Sequence, residues 1–160
     1  MSYYSAEEMA DRMAINDLIT CYVHALDDRE YDVLDSVFMP DSVFDLTSAG
    51  AIRGLWPEVK ELYKSQKDIY VNYLHIYANV RIDFDPGRTS ARVKSKVINP
   101  IGVPDENGNV RLFQVQGGYD DIFVKTEHGW RIKERTWLHG WISGDYPFTK
   151  PPGELRKGEG

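Results

Sequence analysis

The sequence lacks the features of several protein classes. Its single cysteine, Cys21, excludes an intrachain disulfide and any metal site built from several thiolates. Its 19 Lys and Arg against 25 Asp and Glu give a net charge of −6, which argues against nucleic-acid binding. No apolar run approaches the roughly 20 residues of a membrane-spanning helix, and positions 1–8 lack a signal-peptide pattern. These absences predict a soluble, cytoplasmic protein that binds neither nucleic acid nor membranes.

The sequence is rich in aromatic side chains that combine bulk with a polar group. It has ten Tyr and four Trp in 160 residues, and 42% of its residues are hydrophobic, which suits one packed domain. We therefore expect a single domain over residues 1–144 with an aromatic-lined cavity. Residues 145–160 contain several prolines and glycines, and we expect an irregular tail there, for which covering the pocket is one possible role.

Hydrophobic periodicity predicts an α+β domain with its helices first. Apolar residues at three- and four-residue steps predict helices over about 5–27, 31–38 and 57–67. A brief strand is expected over 42–46. From residue 73 the period changes to two, which predicts long antiparallel strands over about 73–84, 89–98, 111–125 and 130–143. Gly117 and Gly118 interrupt the third of these and predict a bulge or a sharp bend.

Two residues are candidates for proton transfer. Asp27 ends the first predicted helix at the margin of its apolar stripe, where a carboxylate could reach the edge of a pocket. His75 lies in mid-strand between Tyr73 and Tyr77 and could act as a general acid or base. Each also has an ordinary interpretation, since Asp27 could be a solvated turn residue and His75 a core histidine with one hydrogen bond.

The sequence contains no motif typical of metal, nucleophilic or nucleotide-dependent catalysis. The four histidines show no H-x-H, H-x₃-H or H-E-x-x-H spacing, so no metal site is predicted. There is no G-x-S-x-G elbow, P-loop or G-x-G-x-x-G, and Cys21 is expected to be a packed thiol. Acid–base chemistry by an aspartate and a histidine in an aromatic cavity is the chemistry that is left.

Several segments, taken in order, resemble the SnoaL-like family of the nuclear-transport-factor-like superfamily. They cover most of residues 5–143 and are 15–19 followed by Tyr22 and Leu26-Asp27, 38–43, His75 with Asn79, 118–121, and 129–132 with Arg135. The resemblance implies a cone in which a strongly bent mixed or antiparallel sheet packs on three N-terminal helices around an internal pocket. It also implies a homo-trimer or homo-dimer, without metal or organic cofactor.

Within that family the sequence looks most like scytalone dehydratase, bile-acid 7α-dehydratase and hexachlorocyclohexane dehydrochlorinase. The likeness implies a catalytic dyad of Asp27 and His75, assisted by Tyr22, which stands where the dehydrochlorinase has a lysine. Leu26 departs from the tyrosine that scytalone dehydratase has before its aspartate. The residues expected to contact substrate are Arg135, Asn79, Tyr119, Tyr77 and Trp137.

The resemblance implies a lyase of the dehydratase type that acts on a small, hydrophobic cyclic or polycyclic molecule. A ketosteroid-isomerase-like proton transfer is one alternative, because only the fate of the enolate differs. A non-catalytic binding or accessory domain is another. It predicts that Asp27 and His75 lie too far apart for a hydrogen bond, or that the protein's own aromatic side chains fill the pocket.

Overall fold

The computed structural model describes residues 3–150 and 154, and its first element is the long helix α1, Ala6–Asp27. Ser5 caps this helix, because its hydroxyl accepts a hydrogen bond from the backbone N–H of Glu8 at 3.1 Å. The inner face of α1 is apolar apart from Asp11 and packs against strands of the sheet. Its last two turns place Tyr22 and Asp27 on the side of the cavity.

The prediction of three helices is wrong, since the described residues contain two α-helices. Helix α2 is Trp56–Gln66, with Pro57 in its first turn, where the missing N–H costs nothing. In place of the predicted helix over 31–38 there is a 3₁₀ turn, Val33–Ser36. The first strand already begins at Phe38, which leaves too few residues for an α-helix. A second 3₁₀ turn covers Thr47–Ala49.

The rest of the domain is one mixed sheet that is curled and not closed into a barrel. Its order is β2-β1-β7-β6-β5-β3, with β4 also paired to β5. The β1–β7 pair is parallel and the other pairs are antiparallel. The strands are β1 Phe38–Asp45, β2 Arg53–Leu55, β3 Asn72–Tyr73, β4 Ile76–Phe84, β5 Ser90–Pro104, β6 Val110–Thr126 and β7 Gly129–Gly144.

The bulge predicted at Gly117 and Gly118 is present, but its extra residue is on the neighbouring strand. The β6–β7 register shifts between Gln116 and Gly117, where Gly140 of β7 has no partner in the pairing. A Cβ atom at Gly117 would lie 2.4 Å from the Leu138 carbonyl oxygen, and one at Gly118 would lie 2.3 Å from the Ser95 carbonyl oxygen. Glycine is therefore required here because neighbouring backbones approach too closely for any side chain.

The strand predicted over 73–84 is interrupted twice. Between β3 and β4, the backbone N–H of His75 lies at the open edge of the sheet and donates to Asp27 Oδ2 at 2.9 Å. Further along, the β4–β5 register shifts between Ala78 and Arg81, and Asn79 adopts the left-handed region with φ 52°. The bulge exchanges the two faces of the strand, so the inward residues are odd-numbered up to Tyr77 and even-numbered after it.

The described part of the C-terminal tail packs on the domain. Tyr146 and Phe148 make edge-on contacts with Phe113, at ring-centroid distances of 5.0 and 6.4 Å. Residues 151–153 and 155–160 lie outside the described residues, so a role of the whole tail in covering the pocket stays a prediction. No helix within the described residues is long and apolar enough to cross a bilayer.

Candidate active site

A cavity of about 110 Å³ lies between the helices and the concave face of the sheet. Among residues 3–150 and 154, no Asp, Glu, Lys or Arg side chain lines it, and its polar groups are hydroxyls, amides, one indole and one imidazole. The lining residues are Tyr22, Leu26, Leu46, Ala49, Ala51, Leu62, Tyr63, Gln66, Tyr70, Tyr73, His75, Val97, Asn99, Ile101, Val115, Tyr119 and Trp137. Such a wall suits a mostly apolar, uncharged ligand.

Asp27 and His75 form a hydrogen-bonded pair at this wall. His75 Nδ1 lies 2.6 Å from Asp27 Oδ1, and the two side chains are 5% and 14% exposed. An ionised carboxylate only accepts hydrogen bonds, so we assign the proton of the neutral imidazole to Nδ1. Nε2 is then left with its lone pair. Asp27 itself lies behind His75, outside the cavity lining.

Asn99 on β5 contacts the other side of the imidazole and was not among the predicted site residues. Its Nδ2 lies 3.1 Å from His75 Nε2, which suits donation to the bare nitrogen. The pairs Tyr73–Ile101 and Ile76–Ile98 belong to one register, which places Asn99 directly opposite His75. The alternation of β5 could have identified Asn99 as an inward polar residue, but the strand that carries its partner could not be aligned from the sequence.

Tyr22 lies close to the pair and lines the cavity. Its side chain is fully buried, and its ring centroid is 6.5 Å from that of His75. Burial raises the pKa of the Tyr22 hydroxyl well above 10, so this group remains protonated and can donate a hydrogen bond.

Arg135, predicted as a pocket arginine, lies behind the cavity wall and does not line it. Its Nε and Nη2 atoms donate to both carboxylate oxygens of Asp121, at 3.0 and 2.8 Å, and its side chain is 0% exposed. Burial alone would lower the pKa of the guanidinium, but the charge of Asp121 outweighs this and raises it well above its ordinary value. The guanidinium lies between the rings of Tyr22 and Tyr119, 4.2 and 4.1 Å from their centroids.

The remaining predicted contact residues divide into two groups. Tyr119 and Trp137 line the cavity. Tyr77 stacks on Tyr119 with ring centroids 5.6 Å apart and lies outside the lining. Asn79 is exposed at the bulge of β4, where the change of strand parity turns it away from the interior, so its expected place at the cavity is wrong. Tyr63, Tyr70 and Tyr73 supply the other tyrosine rings of the wall.

No group of three or more His, Cys, Asp or Glu side chains in residues 3–150 and 154 is arranged to hold a metal ion. The site therefore consists of an imidazole with one bonded carboxylate, a tyrosine hydroxyl and an amide, at an apolar chamber. This arrangement can transfer protons to and from a carbon or oxygen acid.

Solved structures with the same fold include one named as a dehydratase and one named as a dehydrochlorinase. The "Putative Scytalone Dehydratase" of Novosphingobium aromaticivorans DSM 12444 matches with a TM-score of 0.76 and 20% identity, over 92% of this chain and 96% of that one. Hexachlorocyclohexane dehydrochlorinase (LinA) type 2 matches with a TM-score of 0.75 and 18% identity, over 91% and 97% of the two chains. At such identities the likeness is one of fold.

The sequence itself has a clear relative and a clear family match. Rv2910c of Mycobacterium tuberculosis (strain H37Rv), an uncharacterized protein, is 34% identical over 134 residues, which are 84% of this chain and 88% of the relative. The model of the SnoaL-like domain matches residues 7–136. With that match spanning most of the chain, this protein belongs to the SnoaL-like domain family.

Proposed function

We propose that this protein is a cofactor-independent lyase that eliminates water from a small, uncharged cyclic hydroxy ketone. The observation that carries the proposal is the hydrogen-bonded pair of Asp27 and His75 at the wall of an open, uncharged cavity. A dehydratase and a dehydrochlorinase among the fold neighbours support the same class of chemistry. The short contact and the open cavity argue against the non-catalytic alternative.

The elimination starts with His75 as the base. Nε2 first gives up its hydrogen bond from Asn99. It then takes a proton from the carbon next to the substrate carbonyl, and Asp27 stabilises the imidazolium that forms. The electron pair of the C–H bond moves into an enolate, whose oxygen accepts a hydrogen bond from the Tyr22 hydroxyl. Collapse of the enolate expels the hydroxyl on the next carbon. That hydroxyl takes the proton from Nε2 and leaves as water, which restores the neutral imidazole.

The size of the cavity limits the substrate. An apolar cavity of about 150 Å³ binds benzene, so about 110 Å³ holds at most one six-membered ring, with any substituent at the open mouth. A polycyclic substrate would enter with one ring only, the remainder lying at the cavity mouth. The uncharged wall disfavours a carboxylate or phosphate on the ring that enters.

A direct test uses 3-hydroxycyclohexanone, whose dehydration gives the conjugated cyclohex-2-enone and an increase in ultraviolet absorbance. We expect turnover by the wild type and a fall of about 10²- to 10⁴-fold in kcat for His75→Ala and Asp27→Asn. His24→Ala and Asp28→Asn are matched controls, because both side chains lie on or beside α1 and are exposed. Unchanged turnover in His75→Ala would refute the assignment of the base.

An isomerase is the second candidate, since the same base and donor would move a proton without expelling a group. Elimination needs a group that protonates the leaving hydroxyl, whereas isomerisation does not. Among the described residues that line the cavity, only His75 and Tyr22 could do this, and this observation favours the isomerase as a second candidate. Cyclohex-3-enone discriminates between the two, because its isomerisation gives the same cyclohex-2-enone. Turnover of cyclohex-3-enone alone would identify an isomerase.

A further inference from the structure

Asn99 is the buried amide that faces the base, and its two polar atoms are used unequally. Its Nδ2 lies 3.1 Å from His75 Nε2, while its Oδ1 is buried and has no hydrogen-bond partner in the described part of the chain. Asn99 is 9% exposed, and the inward residues on either side of it in β5 are Val97 and Ile101. A buried acceptor without a partner is costly, so its presence beside the base points to a second arrangement in which it is used.

Protonation of His75 creates that second arrangement. When Nε2 takes a proton, the N–H of Asn99 Nδ2 faces another N–H, and the hydrogen bond between them is lost. A half turn of the amide exchanges its nitrogen and oxygen without moving the rest of the side chain. Oδ1 then accepts from the protonated Nε2, and the imidazolium has an acceptor on each side, Asp27 Oδ1 and Asn99 Oδ1.

We propose that Asn99 is a positioning residue that turns its amide to follow the proton on His75 Nε2. The inference rests on the proposed function, in which Nε2 gains and loses a proton in every turnover. An amide suits this role because it can bond to Nε2 in either protonation state before and after the proton is exchanged with substrate, donating to the neutral ring and accepting from the imidazolium. A carboxylate at this position could only accept, and an aliphatic side chain could do neither.

Few other groups near the imidazole could replace Asn99 as the hydrogen-bond partner of Nε2. Helix α1 contributes Asp27, already bonded to Nδ1, and the ring of Tyr22 at 6.5 Å. Strand β3 contributes the ring of Tyr73, edge-on at 4.6 Å. Arg135, behind the wall, holds Asp121 through Nε and Nη2 and does not line the cavity.

The first test follows the proton in the wild type by NMR, with ¹⁵N-labelled protein and no substrate. We expect the side-chain N–H₂ resonances of Asn99 to shift with the same pH midpoint as the His75 ring nitrogens. At a pH where His75 is neutral, the ring should show the tautomer with its proton on Nδ1. Asn99 resonances that stay constant while His75 protonates would overturn the proposal.

The second test uses variants. Asn99→Asp should leave His75 doubly protonated at a pH where the wild type is neutral, and should lower kcat for 3-hydroxycyclohexanone. Asn99→Leu should lower kcat about tenfold, the size expected for one hydrogen bond, with KM changed less than about twofold. Asn16→Asp is the control, because Asn16 is exposed on α1. Wild-type kcat in Asn99→Leu would overturn the proposal.

The two tests separate this inference from the proposed function. If 3-hydroxycyclohexanone and cyclohex-3-enone are both inert but the resonances of Asn99 and His75 shift together, the proposed function fails and the role of Asn99 is supported. If the wild type dehydrates its substrate but the Asn99 resonances do not respond, the role of Asn99 fails and the lyase is supported.

Discussion

The buried ion pair of Arg135 and Asp121 behind the cavity allows a quantitative test of how much it contributes to the stability of the fold. Arg135 and Asp121 are joined by two hydrogen bonds and are 0% and 3% exposed. Removing one partner leaves the other as an uncompensated buried charge. We therefore expect Arg135→Met and Asp121→Leu each to lower the free energy of unfolding by about 3–5 kcal/mol.

The double variant Arg135→Met/Asp121→Leu should lose much less than the sum of the two single variants. Replacing both partners removes both charges, and apolar pairs of similar volume are often as stable as the buried ion pair. Part of the loss should remain, because the guanidinium also contacts the faces of Tyr22 and Tyr119 at 4.2 and 4.1 Å, worth about 2 kcal/mol when desolvated.

Urea unfolding at 25 °C, followed by tryptophan fluorescence and circular dichroism, measures the free energy of unfolding of all three variants. Arg92→Met is a matched control, because Arg92 also binds both oxygens of an aspartate, Asp120, but is 56% exposed. We expect little change for this variant. Equal losses for Arg92→Met and Arg135→Met would refute the reasoning, since geometry rather than burial would then set the cost.

Two further predictions concern the hydroxyl donor and acid stability. Tyr22→Phe should lower kcat for 3-hydroxycyclohexanone about 10²- to 10³-fold, because the enolate loses its donor, and steady-state kinetics measure this loss. Burial raises the pKa of Asp11, but its hydrogen bonds, that from Lys125 first, outweigh burial and lower the pKa below the ordinary value. This carboxylate therefore stabilises the fold above about pH 4 and less as the pH falls further. Urea unfolding between pH 5 and pH 3 should show a shallower loss of stability in Asp11→Asn than in the wild type.

The sequence allowed a good prediction of the elements that depend on local pattern. The first helix begins at its Ser5 cap and ends at Asp27, because periodicity and capping are local properties. The irregularity at Gly117 and Gly118 could be predicted for the same reason, since two glycines within a strand pattern indicate a bulge or a close approach of backbones. The likeness to a family then suggested that Asp27 and His75 face each other.

The remaining parts of the site depend on long-range pairing. Asn79 was expected at the cavity because it shares the parity of His75, but the bulge at that residue reverses the faces of β4. Asn99 and Asp121 were missed because their roles depend on the strand residues opposite them, His75 and Arg135. A single sequence does not reveal such partners, as one residue of slip changes every pair.

The contact between Asp27 Oδ2 and the backbone N–H of His75 makes the carboxylate part of the sheet as well as of the dyad. One oxygen orients the imidazole, while the other accepts from the backbone of the edge strand between β3 and β4. The chemistry and the local order of this strand therefore share one side chain. Hydrogen exchange at the His75 amide in Asp27→Asn would report on local opening separately from the rate of catalysis. A substitution at position 27 would therefore lose two contacts, one that orients the catalytic imidazole and one that holds the backbone of the edge strand. Few residues could replace Asp27 without loss.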